Sequence, residues 1–359
     1  MTNIHEQNHE STPTLDLKGS RLFTRWLQGE KASLVFTTYQ AGKIFFVGVK
    51  PDGNLSVFER SFDRCMGLAV KQRTLWLASR RQLWRFVNIL DPGQRHEGHD
   101  ALYVPMASHT TGDIDVHDIA IMNDQTPVFA VTLFNCFASL GHDHSFRPFW
   151  LPPFINRLTA EDRCHLNGLA LDDTGHPRYA TLVRRSNVVE GWREDRTGAG
   201  VLMDVVTNEI LCEGLTMPHS PRWHRGRVWL LNAGTGEVGY VDPQTKTFQP
   251  IAFCPGFLRG LAFVGHYAVV GMSKPRHNGT FNGLPLNERL EKEQIQPRCG
   301  LQVIHTTTGD ASHSLILEGI IEELYDVTVL PGVRQPMALG MKTNEIDHML
   351  RIDELKPLS

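Results

Sequence analysis

The chain has 359 residues, 41% of them hydrophobic, a formal net charge of −3 and a pI near 6.6 without a basic cluster, which leaves no electrostatic footprint for nucleic acid. No apolar run reaches the roughly 18 residues of a membrane helix, so the sequence predicts a protein that does not use a membrane. Cys65, Cys136, Cys164, Cys212, Cys254 and Cys299 are scattered with no CxxC spacing, which argues against a zinc ribbon or a disulfide framework and for reduced thiols in a cytoplasmic protein.

Residues 1–20 are polar and lack the basic end and apolar stretch of a secretory signal, so they read as a disordered leader. Residues 21–343 read as a single domain. They open with "SLVFTTYQAGKIFFVGVKPDGNLSVFERSF", three strand-like runs separated by turn residues, and then enter a series of related motifs. In chain order these are "CMGLAV" from Cys65, "VHDIAI" from Val116, "LNGLAL" from Leu166, "PHSPRW" from Pro218, "LRGLAF" from Leu258 and "LYDVTV" from Leu324. Aligned on the second residue they place Met66, His117, Asn167, His219, Arg259 and Tyr325 in register, about fifty residues apart, and two or three more short strand-like runs follow most of them. Four strands per unit of that length is one propeller blade, whereas parallel βαβ units would need amphipathic helices where these gaps are rich in Gly, Pro and Thr. The sequence therefore predicts an all-β fold, a six-bladed β-propeller closed by pairing of the N- and C-terminal segments; counting the N-terminal runs as a separate blade would make seven. Residues 344–359, "NEIDHMLRIDEL" onward, read as a helical tail.

In a propeller the first strand of each blade lines the axis, so the six register residues converge on one mouth of the central channel. Turns between second and third strands open at the same mouth. Three long segments read as such turns: "FNCFASLGHDHSFRPFWLPPFINRL", "VRRSNVVEGWREDRTGAG" and "MSKPRHNGTFNGLPLNERLEKEQIQPRCG". They would roof the mouth with His142, His144, Arg184, Arg185, Arg193, Lys274 and Arg276, and long loops over a rigid ring are where binding sites gather.

His117, Asn167 and His219 should face one another there, with His165, Asp118, Arg259, Tyr325 and Asp326 close by. Two imidazoles with an amide or carboxylate oxygen suit zinc, iron or manganese better than calcium, which prefers oxygen alone. Such a metal polarises a carbonyl or activates water. Without one, His117 beside Asp118, or His219, can serve as a general base, with Arg259, Tyr325, Asp326, His165 and Arg276 binding the substrate. The same polar residues also fit a plain structural role, bonding backbone groups at a strand entry, and both readings stay open at this point.

Across nearly the whole chain, "SLVFTTYQAGK", "LSVFERSFDR", "LPPFINRL", "HLNGLALD" and "GLPLNERL" resemble an uncharacterised bacterial family of conserved hypothetical proteins, some fused to tetratricopeptide repeats. More distantly, the "NGLAL" motif is similar to the six-bladed superfamily of gluconolactonase, regucalcin, paraoxonase and strictosidine synthase. In its lactonases an Asn before Gly-Leu or Gly-Ile at a strand entry ligates a catalytic divalent metal, which carries over to Asn167 alone; His117 and His219 stand where those enzymes use Asn, Asp or Glu.

The expected function is a metal-dependent enzyme, hydrolase-like, lactonase-like or isomerase-like, acting on a small polar or anionic metabolite at the roofed mouth. The competing expectation is a non-catalytic module that binds a protein or glycan partner through loops such as "SFRPFWLPPF".

Overall fold

The structure is a computed structural model, and it describes residues 15–275 and 282–353. Six sheets of four or five strands follow one another around an axis, each led at the centre by one motif strand. These innermost strands are Leu68–Lys71, Val116–Ile121, Leu166–Leu171, Pro218–His224, Phe257–Val264 and Val327–Pro331, and their blades are numbered 1 to 6 in that order. Each innermost strand touches that of the next blade, and the last touches the first, so the ring is closed. Turn chemistry shapes the blades. Asp172 Oδ1 accepts the backbone N–H groups of Thr174 and His176 at 2.9 and 3.1 Å, and Asp124, Asp204 and Asp242 cap their own turns similarly. The apolar faces pack between blades; Trp76, for example, lies in a cluster that joins blade 1 to Val116, Ile119 and Phe129 of blade 2.

Both termini build blade 6. Its inner strand pairs antiparallel with Ala32–Thr38, followed outward by Lys43–Val49 and Leu55–Ser61. Two further closures were not read from the sequence. Leu15–Gly19, assigned there to a disordered leader, forms the outermost strand of blade 5 against Ala311–Gly319; Leu15 and Leu17 alternate toward the apolar cluster and cover an otherwise open edge. Pro336–Ala338 runs parallel to Ala101–Thr110 on the outer edge of blade 1. The expected C-terminal helix is reduced to a single 3-10 turn, Asn344–Asp347, none of whose residues is buried; the partial packing of Ile346 and Met349 against Leu102 and Met337 is too little to repay the cost of helix nucleation. Residues 354–359 lie outside the described part.

Two of the three expected roof insertions join second and third strands, at residues 183–199 in blade 3 and 274–299 in blade 5, the latter carrying the helix Pro285–Lys292. The third does not. Cys136–Ser139 and Arg147–Trp150 are themselves strands three and four of blade 2, and the His142 side chain on their connecting turn is 96% exposed. All six cysteines are unpaired and buried, and among the described residues no helix is long and apolar enough to cross a membrane.

The axis is held by charge. Arg222 lies across the centre of the ring, with Nη1 2.8 Å from Asp118 Oδ2 and Nη2 3.4 Å from Asp326 Oδ1. Asp118 Oδ2 accepts the N–H of Leu169 at 3.1 Å, Asp326 Oδ2 accepts that of Leu68 at 2.9 Å, and Arg222 Nε donates to the Leu261 carbonyl at 3.1 Å. Three side chains thereby reach the inner strands of all six blades. Burial raises both carboxyl groups above their usual range, Asp326 to about 7, while the guanidinium pulls in the opposite direction. Replacing Arg222 with Ala leaves two buried carboxyl groups without their cation, and we expect a loss of about 3 kcal/mol or more in urea unfolding; a loss below about 1 kcal/mol would show that the cluster is not what holds the axis.

Candidate functional site

β-Bulges interrupt four of the six innermost strands at the register residue or directly after it. In blade 2, Val131 and Ala130 face Val116 and Asp118, which leaves His117 as the extra residue; in blade 3, Asn167 is extra between Leu166 and Gly168. In blades 4 and 5 the register shifts directly after His219 and Leu258, placing Ser220–Pro221 and Arg259–Gly260 opposite single residues. A bulge re-aims side chains at a strand entry, and here it turns polar residues toward the mouth.

At that mouth lies a cavity of about 170 Å³ lined by Tyr39, Asp115, His117, Asp162, His165, Trp192, Arg193, Met217, Arg259 and Tyr325. It is smaller than the roughly 300–1,000 Å³ typical of drug-sized pockets. The 183–199 insertion supplies Trp192, buried at 2% exposure, on a 3-10 turn, Gly191–Glu194. Four lining residues, Asp115, Asp162, His165 and Met217, have φ between 38° and 57°, a left-handed backbone rare in residues other than glycine. Such strain persists only where surrounding structure enforces it, and it gathers at functional sites.

The tautomers follow from the hydrogen bonds. Thr132 Oγ1 gives its one hydrogen to the Leu166 carbonyl at 2.6 Å, so toward His117 it can only accept, and His117 Nδ1–H donates to it at 2.7 Å. His117 Nε2 then carries the lone pair. Burial holds this imidazole neutral, its pKa pushed down to about 4. His165 Nδ1–H donates to Asp162 Oδ2 at 2.9 Å, and the Trp192 indole N–H donates to the same oxygen at 2.8 Å. Burial alone would raise Asp162, but His165 outweighs it and holds the carboxyl below its usual value. Trp192 also stacks on His165, ring centroids 4.1 Å apart, and the His117 and His165 rings meet edge to face at 4.9 Å.

Tyr325, its ring centre 5.5 Å from that of His117, begins an aromatic and cationic wall. Tyr325 stacks on Tyr39 at 5.3 Å, and the Arg259 guanidinium lies 4.9 Å from the Tyr325 ring centre while bonding Glu323 Oε1 at 3.0 Å. Burial, with Asp115 adding to it, raises the Tyr325 phenol well above 10, so it stays protonated.

Of the residues singled out from the sequence, His117, His165, Arg259, Tyr325 and the roof residue Arg193 line this cavity. Asn167 and His219 lie beneath it, 2% and 3% exposed. Asp118 and Asp326, read as a catalytic partner and a substrate contact, are instead engaged by Arg222 on the axis; Arg276 lies outside the described residues. Reading the sequence missed Tyr39, Asp115, Asp162, Trp192 and Met217, although Asp115 and Met217 stand directly before their motifs, in the column that also holds His165. Arg222 was missed although a signal existed: it stands in a column of Ala69, Ala120, Ala170, Ala262 and Thr328, where one large cation has the axis to itself.

Of the three residues expected to hold zinc, iron or manganese, Asn167 and His219 are bonded to each other. His219 Nδ1–H donates to the Met217 carbonyl at 2.8 Å, so Nε2 is its acceptor, and the Asn167 amide Nδ2 faces that Nε2 at 3.4 Å. Asn167 Oδ1 meanwhile accepts from Thr181 Oγ1 at 3.0 Å. Flipping the amide would set two acceptors against each other. Among the described residues no group of three or more His, Cys, Asp or Glu side chains is arranged to hold a metal ion.

No curated protein matches the chain. Among solved structures it is similar to a chain in a nidogen/laminin complex, at 11% identity and a TM-score of 0.51 over 84% of this chain and 99% of that one. It is also similar to a Bacteroides caccae protein of unknown function, at 8% identity and a TM-score of 0.51 over 83% and 98% of the two chains. At these identities the likeness speaks for the fold alone. The family model described as a domain of unknown function, DUF4915, matches residues 21–339, in keeping with the uncharacterised family that the sequence resembles. The chain belongs to the DUF4915 family, whose function is unknown, and folds as a six-bladed β-propeller.

Proposed function

We propose that the chain is an enzyme that transfers a proton on a small polar or anionic metabolite held over His117 and His165. The observation that supports this is the pair of imidazoles whose ring centres lie 4.9 Å apart, each with Nδ1 bonded within the protein and Nε2 without a hydrogen bond among the described residues. His165 is the base, because the Asp162 carboxylate fixes its tautomer and stabilises the imidazolium that forms. His117 remains neutral and accepts a hydrogen bond from the substrate. Tyr325 is the matching donor, and Arg259, its charge shared with Glu323, orients an anionic group. Abstraction of a proton from water serves hydrolysis, and abstraction from carbon serves isomerisation or elimination. The reading routes no step through a metal, since Asn167 and His219 already satisfy each other.

Incubating the protein with pooled small polar metabolites and following them by mass spectrometry tests the reading. At least one compound should be consumed by the native chain, with the rate falling roughly 10²–10⁴-fold in His165→Gln. Unchanged turnover in that variant, or no compound consumed, would sink the proposal. Treatment with EDTA should leave the rate unaffected; a loss restored by zinc or manganese would instead favour the metal-dependent form and require Asn167 to leave His219. The partner-binding reading rests on Phe149, 46% exposed on the outer strand of blade 2, and would be favoured by a partner whose capture is lost in Phe149→Ala.

Buried neutral imidazoles also set a pH dependence. The unfolded chain protonates His117 near 6.5, whereas the folded chain resists until about 4, so between these values the unfolded state binds more protons. Stability is full above about pH 6.5 and declines as the pH falls toward 4, by on the order of 3 kcal/mol from this group. His219, also lowered by burial, acts in the same direction. Urea midpoints measured from pH 7 to pH 4.5 should show this decline, and a flat profile would mean that His117 is not buried in its neutral form.

A further inference from the structure

Three buried polar atoms that lack a hydrogen-bond partner among the described residues belong to residues lining the cavity: the Tyr325 hydroxyl, Asp162 Oδ1 and Arg259 Nε. Leaving such an atom unpaired costs about 1–3 kcal/mol, and more when the group is charged, so three on one small cavity specify what belongs there. Their chemistry is directional. Asp162 is ionised, and while its Oδ2 takes the N–H groups of His165 and Trp192, its Oδ1 can only accept. The ligand must therefore donate on that side. Arg259 Nε can only donate, and Tyr325, protonated and 4% exposed, has a hydrogen to give, so the ligand must accept on the other side. A second guanidinium, Arg193, lines the cavity, lying 4.3 Å from the centre of the Trp192 ring and 3.3 Å from Glu190 Oε1.

We infer that the cavity binds a small hydroxy-carboxylate, its hydroxyl donating to Asp162 Oδ1 and its carboxylate accepting from Tyr325 and Arg259. A hydroxyl so held sits beside His165, because Asp162 bonds both. The inference rests on reading this cavity as the site of proton transfer, yet its test needs no turnover.

Glycerate, which carries both groups, is compared by isothermal titration with propionate, which has only the carboxylate, and glycerol, which has only hydroxyls. The expected result is glycerate binding at least tenfold more tightly than either. Asp162→Asn should cut glycerate affinity about tenfold or more while changing that of propionate less than about threefold, as befits a hydrogen bond to a charged group. Tyr325→Phe, which preserves the ring and its stacking, should weaken glycerate and propionate alike by roughly threefold to tenfold. Because Asp162 also anchors Trp192, circular dichroism must show that its variant is folded, and Tyr325→Phe stands as an independent arm. Glycerate binding no better than propionate and glycerol, or not at all up to about 10 mM, the weak end for so small a ligand, would overturn the inference. Binding as expected without His165-dependent turnover would keep the ligand class and discard the proton transfer.

Discussion

The arginine on the axis is the constraint on which the rest of the molecule depends. Six blades packed through apolar faces could close with some latitude, since such contacts have no direction. The contacts of Arg222 do. Its guanidinium bonds Asp118 of blade 2 and lies near Asp326 of blade 6, and these carboxylates bond backbone N–H groups of blades 3 and 1. The cluster also closes the channel. On one side is the His117 and Tyr325 cavity; on the other is a wider depression lined by the farther parts of all six inner strands, with Arg222 among its walls. The mouth that holds the imidazoles is thus a blind cup rather than a pore, which lets its side chains be desolvated.

A threefold alternation runs through the inner ring. At the third motif position stand Gly67, Asp118, Gly168, Ser220, Gly260 and Asp326, glycine in odd blades and a hydrogen-bonding residue in even ones. A Cβ on Gly67 would come within 3.1 Å of the Asp118 backbone, and one on Gly260, whose φ is +81°, within 2.6 Å of Val327 N. The even-blade residue then reaches forward: Asp118 to Leu169, Ser220 Oγ to the Gly260 N–H at 3.0 Å, and Asp326 to Leu68. Glycine grants close approach on one side of each even blade, and its partner secures the other.

This alternation marks how far the sequence could be read. Blade number, the shared sixth blade and the convergence of the register residues follow from period and alignment, because a strand's apolar pattern survives in the sequence. What the third-position residues do was also present in the column of Gly and Asp, but was obscured by reading Asp118 and Asp326 as chemistry. Bulges were not readable: a single extra residue in a strand changes which side chain faces the axis without altering the apolar spacing. Leu15–Gly19 and Pro336–Ala338 were missed for a different reason, being too short to stand out from loops until an open sheet edge selects them. In the cup, Asp162 and Trp192 come from a connector and an insertion, where no repeat predicts a partner.

Burial works against the chemistry of the cup and also enables it. Desolvation and the nearby Arg259 charge keep His117 and His219 neutral, which makes both poor proton carriers. His165 Nδ1 bonds a carboxylate at 2.9 Å, whereas His117 Nδ1 bonds a threonine hydroxyl at 2.7 Å and has the Asp115 carboxylate farther off, at 3.5 Å. A hydroxyl fixes a tautomer but offers little to an imidazolium, whereas a carboxylate 2.9 Å away stabilises the charge that proton abstraction creates. In the proposed reaction this divides two histidines whose rings touch into a hydrogen-bond acceptor, His117, and a base, His165. The left-handed backbone at Asp162 and His165 brings this carboxylate to this ring across three residues of chain, and Trp192 holds both in place. The strain in that short segment is therefore tied to the closer of the two imidazole–carboxylate pairs described in the cup.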